Sequence, residues 1–221
     1  MGELSAKLTE GDTMDIRYLD DHIVVCIKPE NVLSTDEPGG LPELLRTELG
    51  GEIRTVHRLD RMVSGLMVLS RSKAAATELT KQIMDKRFHK AYLAVVHGEM
   101  EPCAGSYRDL MFRDKRECKS YVSDKPGKGV QEALLDYRCL ASDGDKSLVR
   151  IVLHTGRTHQ IRCQFAHHGH SLYGEKKYDP HGDGCPLALF SAELGFTHPV
   201  TGETMHFEAQ PPKAEPWDSF Y

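Results

Sequence analysis

Hairpins dominate this chain. Asp15-Ile16-Arg17-Tyr18-Leu19 and His22-Ile23-Val24-Val25-Cys26-Ile27 flank Asp20-Asp21 and read as paired strands stopped by Lys28-Pro29. Residues 134–140 and 147–153 form a second pair around Asp143-Gly144, and residues 187–196 and 204–209 a third around His198-Pro199-Val200-Thr201-Gly202. Gly65-Leu66-Met67-Val68-Leu69 and residues 91–97 read as further strands, and the polar stretch 100–130 as a loop or an irregular hairpin. Helices are predicted over 41–49, ended by Gly50-Gly51; from Lys73 to about Arg87, capped by Ser72, with Ala76, Leu79, Ile83 and Met84 inward; and from Thr158, as its cap, to about His168. Helices falling between hairpins point to an α+β fold, a twisted and mostly antiparallel or mixed sheet with flanking helices, and not to a doubly wound parallel sheet. The sequence has no repeat and no linker-like stretch. One domain is expected over 15–212, with an N-terminal extension over 1–14 and a tail over 213–221.

The net charge of −5 hides its distribution. Residues 1–53 carry 4 basic and 12 acidic side chains, and residues 179–221 carry 1 and 7. Residues 54–92 carry 9 and 3, and residues 146–178 carry 6 and 1. Two basic blocks brought together by folding would make a basic cleft on an acidic body, the footprint of a polyanion partner. Six scattered cysteines without a Cys-x-x-Cys pair read as reduced thiols, no apolar run reaches membrane-spanning length, and the first residues lack a signal-peptide core. A cytoplasmic protein is expected, monomeric by default.

Two stretches carry chemistry. In His57-Arg58-Leu59-Asp60-Arg61, a carboxylate sits between two arginines just ahead of a buried strand. A structural ion pair with Arg58 or Arg61 is one reading; an ionised, desolvated nucleophile or general base is the other. In Gly156-Arg157-Thr158-His159-Gln160-Ile161-Arg162, a tight turn leads into a helix whose N-terminus, with Arg157 and His159, suits phosphate, while Arg162 lies one turn inside. A solvated basic helix face is the alternative. Tyr92, in His89-Lys90-Ala91-Tyr92, is either a core tyrosine or a platform for a nucleobase. The histidines of His167-His168-x-His170 and His154-x4-His159 match no zinc spacing, so no metal is expected.

Together these residues resemble the RluA-type RNA pseudouridine synthases. His57-Arg58-Leu59-Asp60 with Ser64-Gly65, Lys90-x-Tyr92, and Arg157-x-His159-Gln160-Ile161-Arg162 match that family's motifs in order. Tyr18-x-Asp20-Asp21, Lys28-Pro29 and His198-Pro199-Val200-Thr201-Gly202 extend the likeness over residues 15–212. The resemblance implies a catalytic domain with a central RNA-binding cleft. Its substrate would be a uridine of ribosomal or transfer RNA, flipped from its helix and isomerised without cofactor. Asp60 would be the catalytic carboxylate, paired with Arg162, and Tyr92 would pack on the flipped base. His57, Arg58, Arg61, Lys90, Arg157, Thr158 and His159 would contact RNA. Val63 and Phe190 stand where relatives usually have Thr and His, and the S4-type domain many relatives carry ahead of this one is not expected here. An RNA-binding protein without chemistry, and a hydrolase using Asp60 with His57 or His159, are the competing readings.

Overall fold

The computed structural model describes residues 13–179 and 182–220, so residues 1–12 of the expected extension and Tyr221 of the tail lie outside the described residues. These form two compact units. One runs up to Lys90 and takes in Ser191–Gln210; the other comprises Ala91–Phe190 and the chain from Pro211.

The first unit holds strands β1 (Ile16–Leu19), β2 (Ile23–Lys28), β3 (Arg54–Thr55) and β4 (Ser64–Ser70) and helices α1 (Leu41–Leu49) and α2 (Lys73–Met84). The pairs β1–β2, β2–β4 and β3–β4 are antiparallel. Every residue of β4 from Gly65 to Ser70 is buried, which is why this strand reads as an unbroken apolar run. Ser72 caps α2 as expected, its hydroxyl accepting the Ala75 N–H at 3.2 Å. The inward face of α2 is corrected to Ala75, Leu79 and Gln82, and Met84 is 77% exposed. Gln82 can be buried because its amide exchanges two 2.9 Å hydrogen bonds with the Thr197 backbone, an arrangement that apolar periodicity does not reveal.

The second unit takes its strands in the order β5 (His89–His97, of which all but the first two residues belong here), β9 (Lys146–Leu153), β8 (Gln131–Ser142), β6 (Ala104–Asp114) and β7 (Lys119–Ser123). Each of these neighbours is antiparallel. Residues 100–130, expected as a loop or an irregular hairpin, contain the hairpin β6–β7, regularly paired from Leu110 opposite Ser123 to Asp114 opposite Lys119. Its polar composition follows from a solvent-facing side on alternate residues. Helix α3 (Gln160–His167) follows β9, and the chain returns to the first unit through β10 (Leu189–Thr197) and β11 (Thr204–Glu208), another antiparallel pair. The class is α+β, as the hairpins predicted.

Two motifs from opposite ends of the sequence meet in the first unit. The Asp20 carboxylate accepts the N–H groups of His22 and Ile23 at 2.7 and 2.8 Å and bonds Nε2 of the buried His198 at 2.8 Å. His198 Nδ1 accepts the Thr201 N–H at 3.0 Å, so Nε2 is the protonated nitrogen and donates to Asp20. The β1–β2 turn and the β10–β11 turn are thereby tied together.

His57 lies in the loop that leads into β4. It is 8% exposed, its Nε2 accepts the Val68 N–H at 3.2 Å, and its ring lies against Phe88 at 5.4 Å between centroids. Burial first, and the nearby Lys90 charge second, lower its pKa from 6.5 to about 3.

Two expectations follow from this packing. Gly65 has φ +118°, and a Cβ there would lie 2.4 Å from the Ser191 carbonyl oxygen, whereas Gly202 (φ +76°) faces open space. Urea unfolding should show Gly65→Ala losing about 3 kcal/mol or more, through positive φ plus a backbone clash, and Gly202→Ala only about 1 kcal/mol. Equal losses would contradict the close approach of β4 to Ser191. The second expectation concerns pH. Between about 3 and 6.5 the unfolded chain carries a proton on His57 that the folded chain lacks. Stability from this group is therefore complete above 6.5 and is lost as pH falls towards 3, with a slope of up to about 1.4 kcal/mol per pH unit. His57→Gln should flatten that part of the acid profile; an unchanged slope would show that His57 is not buried neutral.

Candidate active site

The loop between β3 and β4 carries Asp60, and its shape is imposed from below. Lys28, at the end of β2, has no exposed surface. Its ammonium donates to the carbonyls of Pro29 at 2.7 Å, Val32 at 2.8 Å and Arg61 at 3.2 Å, using all three of its donors. Burial pulls its pKa down to about 7, against the attraction of the Asp60 charge, so the two groups lie within electrostatic reach. Ser34, also buried, donates its hydroxyl to the Leu59 carbonyl at 2.8 Å and accepts the Leu59 N–H at 3.1 Å. The Val63 N–H closes the turn onto the Asp60 carbonyl at 3.0 Å, and Arg61 Nε reaches the Asn31 carbonyl at 3.1 Å. Backbone on both sides of Asp60 is thus held by side chains distant in sequence, while Asp60 itself is half-buried and Arg58 and Arg61 are exposed. His57, expected against RNA, is buried, accepting the Val68 N–H and packed on Phe88.

In the second unit, Tyr92 sits on β5 opposite Ile151 and is 6% exposed. Lys90, two residues earlier on the strand and the last of its stretch in the first unit, has its pKa lowered by burial.

The turn after β9 and helix α3 carry the second motif. Thr158 is not the helix cap. The N-cap is His159, in the left-handed conformation at φ +54°, with no side-chain cap bond. The buried amide oxygen of Gln160 accepts the Thr155 hydroxyl at 2.7 Å and the Arg157 N–H at 3.1 Å, which fixes the turn ahead of the helix. Arg157 Nε binds the Glu132 carbonyl at 2.9 Å, and the Thr158 carbonyl accepts the Ser120 hydroxyl at 2.7 Å. His159 Nδ1 lies 2.9 Å from the Tyr178 hydroxyl, which itself accepts the Ser120 N–H at 2.9 Å.

Arg162, on α3, is 7% exposed, and its Nε and Nη2 bind Glu175 at 2.6 and 2.8 Å. Glu175 went unnoticed in the sequence because nothing in its surroundings there marks it as the counter-ion of an arginine on the preceding helix. The sequence marks Lys28 as a strand stop and part of the Lys28-Pro29 likeness but not as a support for the loop, and it gives Ser34 no signal. Asp109, His167 and His168 bring three possible ligand atoms within 4.8 Å of one another. The Asp109 carboxylate already accepts the Gln164 amide at 2.7 Å and bonds His168 at 3.1 Å, and both histidines are exposed. Among the described residues no helix is long and apolar enough to cross a membrane.

Comparison with known proteins points to one family. The RNA pseudouridylate synthase family matches residues 22–167. A dual-specificity RNA pseudouridine synthase of Haemophilus influenzae is 33% identical over 211 residues, covering 89% of this chain and 93% of that one. A ribosomal large subunit pseudouridine synthase D of Zymomonas mobilis is 31% identical over 226 residues, covering 90% and 70%. Among solved structures, human RNA pseudouridylate synthase domain containing 1 superposes with a TM-score of 0.80 at 25% identity, covering 94% of this chain and 87% of that one. With the Asp60, Tyr92 and Arg162 motifs inside or alongside so extended a likeness, the chain belongs to the RNA pseudouridylate synthase family, a family of isomerases.

Proposed function

We propose that the chain isomerises a specific uridine of structured ribosomal or transfer RNA, with Asp60 as the catalytic carboxylate. The observation that carries the reading is the loop around Asp60, a charged residue whose flanking backbone is fixed by Lys28 and Ser34. A carboxylate needed only for a surface ion pair would not require such support; a reacting one does, because catalysis depends on held geometry. In the reaction the bond between uracil N1 and ribose C1′ breaks, the base turns, and C5 bonds to C1′. The proton leaves C5 and one is taken up at N1, so the product has the composition of the substrate. No redox partner, metal or organic cofactor enters this scheme, and a cytoplasmic monomer suffices for it.

Flipping the nucleotide costs a few kcal/mol. Arg58 and Arg61 are exposed beside Asp60, and Arg157, Thr158 and His159 lie around the start of α3, so both basic blocks supply groups for phosphates. Lys90 adds a further cation, and His57, buried on Val68 and Phe88, anchors its own end of the loop. Tyr92 is assigned to the flipped base and Arg162 to the Asp60 carboxylate; each assignment comes from a family motif that matches this sequence. One relative is named for the large ribosomal subunit, which puts ribosomal RNA first among the pools to test.

Nucleoside mass spectrometry of unmodified ribosomal RNA and tRNA transcripts should show pseudouridine after incubation with the wild type. Asp60→Asn should lower its formation by about a thousandfold or more while RNA affinity stays within about threefold. Product formation by Asp60→Asn would remove the carboxylate from the mechanism, and binding without product by the wild type would favour a non-catalytic RNA-binding role. Affinity should also fall about a hundredfold between 50 and 200 mM salt if roughly four phosphates are neutralised, and filter binding reads this directly. A salt-independent affinity would contradict phosphate recognition by the basic blocks.

A further inference from the structure

Glu175 is the most enclosed carboxylate among the described residues. It is 1% exposed, lies between a glycine turn and Lys176-Lys177, and belongs to none of the motifs read from the sequence. Its two oxygens take four donors. Oε2 accepts from Arg162 Nε at 2.6 Å; Oε1 accepts from Arg162 Nη2 at 2.8 Å and from the backbone N–H groups of Lys177 at 2.7 Å and Tyr178 at 3.3 Å. A side-on, two-bond pairing fixes the plane of a guanidinium as well as its place. The Tyr178 ring lies 5.6 Å from the centre of that guanidinium, and its hydroxyl is held by Ser120 and His159. Gly174 lets the turn form: it has φ +73°, and a Cβ there would meet the Pro186 carbonyl oxygen at 2.1 Å.

We propose that Glu175 is a positioning residue for the reaction, holding the Arg162 guanidinium in the one orientation that the isomerisation uses. This rests on the assignment of Arg162 to the reaction made above. Two of the five N–H donors of Arg162 are turned inward to Glu175, so the carboxylate decides the direction in which the others point. Tyr178 sets the depth of the group from the side. A pairing that served stability alone would need only a neighbouring negative charge; the fourfold use of one carboxylate ties the guanidinium to the turn that carries it.

The test uses the full chain with Glu175→Gln and Glu175→Asp, assayed on unmodified ribosomal RNA and tRNA transcripts, with rates expressed per folded molecule from circular dichroism. Glu175→Gln should lower kcat about a hundredfold and leave KM within about threefold, and Glu175→Asp, which withdraws the charge by one methylene, should recover to about tenfold below wild type. Without RNA, the Arg162 Nε–H resonance, identified by its loss in Arg162→Lys, should be protected from exchange in wild type and in Glu175→Asp and averaged in Glu175→Gln. A folded Glu175→Gln with wild-type kcat, a loss confined to KM, or an unchanged Nε–H resonance would overturn the proposal. If Glu175→Gln does not fold, Glu175→Asp decides: lowered kcat at constant KM supports the role, and wild-type kcat overturns it. Absence of pseudouridine with the wild type on both RNAs counts against the function proposed above, and the Nε–H resonance still decides whether Glu175 orients Arg162.

Discussion

The fully enclosed ammonium of Lys28 is the constraint on which the loop before β4 depends. Taking an ammonium out of water costs several kcal/mol unless its donors are satisfied. Here three carbonyls satisfy it, two from the chain just after β2 and one from Arg61, beyond Asp60. The cost is offset only while those carbonyls converge, so the charge enforces the course of the loop. Burial pulls the Lys28 pKa down to about 7, with the Asp60 charge acting in the opposite direction. Ser34 repeats the device with a hydroxyl that both donates to and accepts from Leu59.

Polar side chains standing in for backbone partners recur elsewhere. Gln82 completes the end of β10, Gln160 fixes the turn before α3, His198 joins two turns through Asp20, and Glu175 gathers a turn and a guanidinium. Each is almost wholly buried. Buried polar groups of this kind stabilise only when fully paired, and fully paired they specify one arrangement of the elements around them.

This recurrence explains what the sequence made legible. Apolar runs and turn residues set out the strands β2, β4, β5 and β9 and helix α1, because their patterns depend on neighbours in the chain. Ser72 was legible as a cap for the same reason. The inward face of α2, the true N-cap of α3, and the regular pairing of β6 with β7 were not. Gln82 and Gln160 are buried by partners 115 and 26 residues away, and β6 buries only Tyr107 and Met111, so that no continuous apolar run marks it. At the candidate site, Asp60, Tyr92 and Arg162 stood out as members of motifs. Lys28, Ser34 and Glu175 act across 25 residues or more, or through a fold in the chain, and hydropathy gives them no signature.

The central claim is that this chain makes pseudouridine. Its most direct test is tritium release from RNA labelled at uracil C5, since isomerisation frees that hydrogen whichever uridine is chosen. Release into water, equal in amount to the pseudouridine formed and saturating at a whole number of sites per RNA, is the expected result. No release from either ribosomal RNA or tRNA by folded protein that binds them would contradict it.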